Sequence, residues 1–141
     1  ETVPARASDD VVIALEPGEG VRELPLLKPD GLMVTASSGQ APVASSFKTA
    51  PYDPAQMIDA MRAAGAQVHV VDDVALCREL GSRKALNIIM LASALAAVND
   101  PACGSGICGK ITLDDMRAAI PACVKPRFVE MNLRAIDLVA S

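Results

Sequence analysis

Val11-Val12-Ile13-Ala14-Leu15-Glu16-Pro17 is the stretch on which the fold turns. Five apolar residues in a row, with no polar alternation, have the length of a strand covered on both faces, as in a parallel sheet. Glu16-Pro17 ends the run. Pro17 suits the first turn of a short helix reaching about Leu24, where its ring presets φ and its missing N–H costs nothing. Lys28-Pro29-Asp30-Gly31 is turn chemistry and feeds a second strand, Leu32-Met33-Val34-Thr35.

Further along, a loop rich in Ser, Gly and Pro runs from Ala36 to about Tyr52, with Pro42-Val43-Ala44 as a candidate edge segment. Asp53-Pro54-Ala55-Gln56 starts a helix, with Asp53 as cap, Pro54 at the first helical position and Gln56 placed to close a capping box. Met57, Ile58 and Met61 form its apolar face, and Gly65 ends it. Gln67-Val68-His69-Val70-Val71 reads as a third strand. Asp72 or Asp73 then caps a helix carrying Val74, Cys77 and Leu80 that stops near Gly81. Residues 84–98 make the longest helix, apolar nearly all round and therefore central. Thr112 caps another that ends near Pro121, and a last helix runs from Pro126 to about Val139. Strands interleaved with helices predict an α/β fold, a Rossmann-like three-layer arrangement with a small, mainly parallel sheet. Three strands are few for such a sheet, so neighbours from a partner or from a missing N-terminal part of the domain are expected to complete it.

Composition narrows the function. The chain has 141 residues, the length of one domain, and about half are apolar, yet there are only one Tyr, two Phe and no Trp. Small aliphatics suit helices packed closely on a sheet, and the aromatic platforms that stack single-stranded bases are missing. Net charge is −4 and the 13 basic residues are scattered, so no stripe exists for a phosphate backbone and nucleic acid is not an expected partner. The apolar stretch from Ala85 to Val98 is too short for a membrane span, and no secretory signal is evident. The four cysteines, Cys77, Cys103, Cys108 and Cys123, are read as reduced thiols in a cytoplasm.

Several groups invite a chemical role. Gly104-Ser105-Gly106-Ile107-Cys108-Gly109-Lys110 spells a dinucleotide fingerprint and nearly a phosphate loop, but a helix rather than a strand precedes it, and Ile111 stands where a magnesium-binding hydroxyl belongs. It reads as a glycine-rich loop over residues 99–111. Cys103 and Cys108 are two thiols where a structural metal site or a cluster needs four ligands. His69, the sole histidine, sits mid-strand without an evident partner. Glu16 and Asp72 end strands at the C-terminal edge, where open α/β sheets place ligands. They are the candidate cofactor-contacting residues, with helix capping as the competing role, and Asp73 shares the ambiguity of Asp72. Asn87 and Asn132 interrupt apolar helices, and a buried amide without a partner costs about 1–3 kcal/mol, so both should find hydrogen bonds.

Three segments in order resemble the gamma-type subunit of 2-oxoacid:ferredoxin oxidoreductases. They are Ala14-Leu15-Glu16-Pro17 with Leu27-Lys28-Pro29-Asp30-Gly31, then Glu79-Leu80-Gly81 through Asn87 to Leu91, then Lys125-Pro126-Arg127-Phe128-Val129-Glu130-Met131-Asn132-Leu133-Arg134-Ala135. The segment from Pro42 to Tyr52 and the tail are most similar to the beta subunit of indolepyruvate oxidoreductase, with pyruvate and ketoisovalerate enzymes as rivals. Ser82, Ala92 and Ile136 depart from the family pattern, and the 99–111 loop looks like an insertion. The family domain opens with a strand and a glycine-rich turn that precede this region, so the chain is expected to be the C-terminal portion of such a domain.

The resemblance implies oxidative decarboxylation of a 2-oxoacid to an acyl-CoA, with electrons passed to ferredoxin. It places thiamine diphosphate, iron–sulfur clusters and coenzyme A on the whole complex and none on this chain, which serves as a noncatalytic partner of the thiamine diphosphate-binding subunit. The rival expectation is a stand-alone nucleotide-binding module using Glu16 and Asp72. Self-association over an uncovered sheet edge is a third.

Overall fold

The computed structural model describes residues 9–38, 53–100 and 111–141. In chain order these form β1 (Asp9–Ala14), α1 (Pro17–Glu23), β2 (Leu27–Ala36), α2 (Pro54–Ala63), β3 (Gln67–Val71), α3 (Asp73–Leu80), α4 (Leu86–Val98), α5 (Leu113–Cys123) and α6 (Val129–Ala140). The strands are parallel and lie in the order β1-β2-β3. Parallel neighbours need a crossover between them, and α1 and α2 lie within the two crossovers, packed against one another on one face of the sheet.

Strand alternation divides the core between the faces. Val12, Ala14 and Met33 meet Ile58 and Met61 on the α1–α2 side. That layer is close, because a Cβ added to Gly20 would stand 2.7 Å from the Met61 sulfur and 3.3 Å from the Ala14 Cβ. On the opposite face Leu32, Val34, Ala36 and Val71 meet Ile89, Met90, Ala94 and Val98 of α4. The far side of α4 contributes Ala92 to a second cluster with Met116 and Ile120 of α5 and Ile136 of α6. Sandwiched between sheet and helices, α4 has reason to be apolar nearly all round. The α/β reading with a small parallel sheet is therefore what the chain adopts.

Three local readings change. Lys28-Pro29-Asp30-Gly31 does not precede the strand but lies inside it, because β2 starts at Leu27. Asp9 pairs with Leu27 while Val11 pairs with Leu32, so the turn chemistry is spent on a bulge. Asp30 takes a left-handed φ of 62° there, and a Cβ on Gly31 would come within 2.9 Å of the Lys28 carbonyl oxygen. The Asp53 side chain accepts from Ala55 N at 3.0 Å, so Gln56 closes no box. A reciprocal capping box does form at Thr112 and Asp115. Finally, α5 runs through Pro121 to Cys123, the proline being tolerated close to the helix end.

The two amides part company. Asn87 is exposed and needs no protein partner, whereas buried Asn132 donates to the Phe128 carbonyl one turn back, at 2.7 Å. The expected hydrogen bond is therefore met at Asn132 within its own helix. Gly65 (φ 98°) and Gly81 (φ 86°) end α2 and α3 as read. No helix among the described residues is long and apolar enough to cross a membrane. The expected edge segment at Pro42-Val43-Ala44 lies outside the described residues.

Candidate functional site

Parallel strands bring their C-terminal ends to one edge, and here the register of β2 and β3 decides which side chains meet. Ala36 pairs with Val71, so the residues that follow, Ser37-Ser38 and Asp72-Asp73, face each other across the edge. Asp72 turns outward and caps α3, its Oδ1 accepting from Ala75 N at 3.0 Å. Asp73 turns inward, and its side chain is wholly buried.

A buried carboxylate is costly unless its lone pairs are filled. Asp73 Oδ1 accepts from Ser37 N at 3.1 Å, Ser37 Oγ at 3.2 Å and Ser38 N at 3.1 Å. Asp73 Oδ2 accepts from the Ser38 hydroxyl and from Arg83 Nη2, the latter at 3.0 Å. Arg83 comes from the turn after Gly81 and remains 55% exposed, so one end of the pair is dry and the other wet. Burial by itself pushes the Asp73 carboxyl up. The hydrogen bonds from Ser38 and Arg83, and then from Ser37, outweigh it and hold the carboxyl below its ordinary range. With its oxygens engaged by five donors and its charge favoured, Asp73 is suited to anchoring and not to proton transfer. It ties the exit of β2 to the start of α3 and to the α3–α4 turn.

The residues singled out from sequence do not converge on this cluster. Glu16 follows β1 and Asp72 follows β3, with β2 between them, so their strand ends stand about 10 Å apart. Glu16 makes no side-chain cap for α1 and lies 3.9 Å from Arg22 Nη2. His69 is exposed in the middle of β3. It lines an open depression of about 350 Å³ with Leu32, Gln67, Val68, Ala96, Ala97 and Asp100, on the α4 side of the sheet. Cys77 is buried in α3, and burial pushes its thiol up, with nearby Arg83 opposing the shift and Asp73 adding to it. Cys123 is exposed on α5.

Cys103, Cys108 and the glycine-rich stretch lie outside the described residues, but the ends of that loop are joined, Asn99 Nδ2 donating to the Ile111 carbonyl at 2.7 Å. Among the described residues no group of three His, Cys, Asp or Glu could hold a metal ion. Sequence reasoning passed over Ser37 and Ser38, and it gave Asp73 no weight beyond Asp72. Only the β2–β3 register reveals the cluster, because consecutive serines after one strand and an aspartate after the next carry no local pattern.

The profile of the family described as pyruvate ferredoxin/flavodoxin oxidoreductase matches residues 3–141. Among solved structures, the gamma subunit of keto/oxoacid ferredoxin oxidoreductase from Geobacter sulfurreducens PCA has a similar fold, with a TM-score of 0.58 at 18% identity. That similarity covers 92% of this chain and 61% of the other, so the chain spans less than two thirds of that subunit. No curated protein matches.

Proposed function

This chain belongs to the pyruvate ferredoxin/flavodoxin oxidoreductase family, and from that premise we propose that it is a gamma-type supporting component of a thiamine diphosphate-dependent 2-oxoacid:ferredoxin oxidoreductase. The family match over residues 3–141 carries the reading. The fold shared with an oxoacid ferredoxin oxidoreductase gamma subunit supports it. So does the employment of the buried carboxylate: Asp73 spends its oxygens holding the fold together.

In this reading the complex oxidatively decarboxylates a 2-oxoacid to an acyl-CoA and reduces ferredoxin, and it works in a cytoplasm. The cofactors belong to partner chains. The described residues do not fit an iron–sulfur cluster, which requires cysteine thiolates gathered together, whereas Cys77 is buried on α3 and Cys123 is exposed on α5. No step of the reaction is assigned to this chain. Its part is to hold the catalytic subunit in a competent assembly, and the resemblance of the tail and of the Pro42–Tyr52 segment favours indolepyruvate as substrate over pyruvate or ketoisovalerate.

Coexpression with a thiamine diphosphate-binding subunit tests this. The expected result is a stable complex whose 2-oxoacid- and coenzyme A-dependent reduction of ferredoxin falls when this chain is omitted. Turnover with indolepyruvate, pyruvate and ketoisovalerate then ranks the substrates. Failure to associate, together with calorimetric binding of NAD or ATP at micromolar affinity by the chain alone, would establish a nucleotide-binding module instead.

A further inference from the structure

We draw no further inference here: the strongest candidate, the open depression between β3 and the end of α4 lined by Gln67, His69 and Asp100, borders residues 101–110, which lie outside the described residues, and nothing in the structure shows what covers it.

Discussion

Removal of the Asp73 carboxylate should cost far more than removal of its cationic partner. Asp73→Ala deletes the acceptors for Ser37, Ser38 and Arg83. Those donors do not suffer equally. Ser37 N also donates to the Val71 carbonyl at 2.8 Å and keeps that bond, and half-exposed Arg83 returns to water. The main-chain donor left stranded is Ser38 N, and a hydrogen bond to a charged group contributes about 1.5–3 kcal/mol. Adding the two part-buried serine hydroxyls brings the expected loss to about 3 kcal/mol. Asp73→Asn retains an oxygen at the Oδ1 position, where three of the five donors converge, and the Ser38 hydroxyl can rotate to accept from the new amide; its loss should be about 1–2 kcal/mol. Arg83→Ala removes a half-exposed cation and leaves the buried Asp73 carboxylate its four hydrogen bonds from Ser37 and Ser38, so it should cost about 1 kcal/mol or less. Urea unfolding at neutral pH, compared at constant m, gives the three values. An Asp73→Ala loss below about 1 kcal/mol, or a larger loss from Arg83→Ala, would refute the view that Asp73 is the centre of the cluster.

Acid should act through the same group. Because the folded Asp73 carboxyl titrates below its ordinary value, its contribution is complete above the unfolded pKa of about 3.9 and is lost as pH falls from there through the folded value. The native chain should lose stability over that window more steeply than Asp73→Asn, and parallel curves would contradict the assignment. Gly31→Ala sets a Cβ 2.7 Å from the Leu27 side chain and 2.9 Å from the Lys28 carbonyl oxygen. It should destabilise by about 1–3 kcal/mol in thermal or urea unfolding. Ile89→Ala opens a void where α4 meets the sheet and should cost about 2–5 kcal/mol by the same measurement. Thr112→Ala removes the acceptor for Asp115 N and half of the capping box; a loss near 1 kcal/mol is expected, with faster amide exchange in the first turn of α5.

Much of this architecture was legible in the chain because it depends on local pattern. The unbroken apolar run at Val11–Leu15, the Asp53-Pro54 helix start and the αL glycines at Gly65 and Gly81 each state a backbone preference within a few residues. The near all-round apolarity of residues 84–98 likewise announced a central helix, and α4 (Leu86–Val98) is one. Lys28-Pro29-Asp30-Gly31 shows where local reading stops. Its residues do bend the backbone, but whether a bend precedes a strand or bulges within it depends on what β1 offers across the ladder.

The candidate site belongs to the second kind of information. Sequence could say that acids follow β1 and β3, and it therefore favoured Glu16 and Asp72. Adjacent residues such as Asp72 and Asp73 are chemically alike, and their separate fates depend on which one turns inward toward Ser37 and Ser38. That choice is made by strand register and by the return of Arg83 from the α3–α4 turn, contacts spanning 36, 35 and 10 positions. Side-chain type and spacing thus determined which elements form, since those are short-range consequences of backbone sterics and apolar periodicity. Tertiary structure alone decided which polar groups lose water together, because burial is a property of the assembled layers.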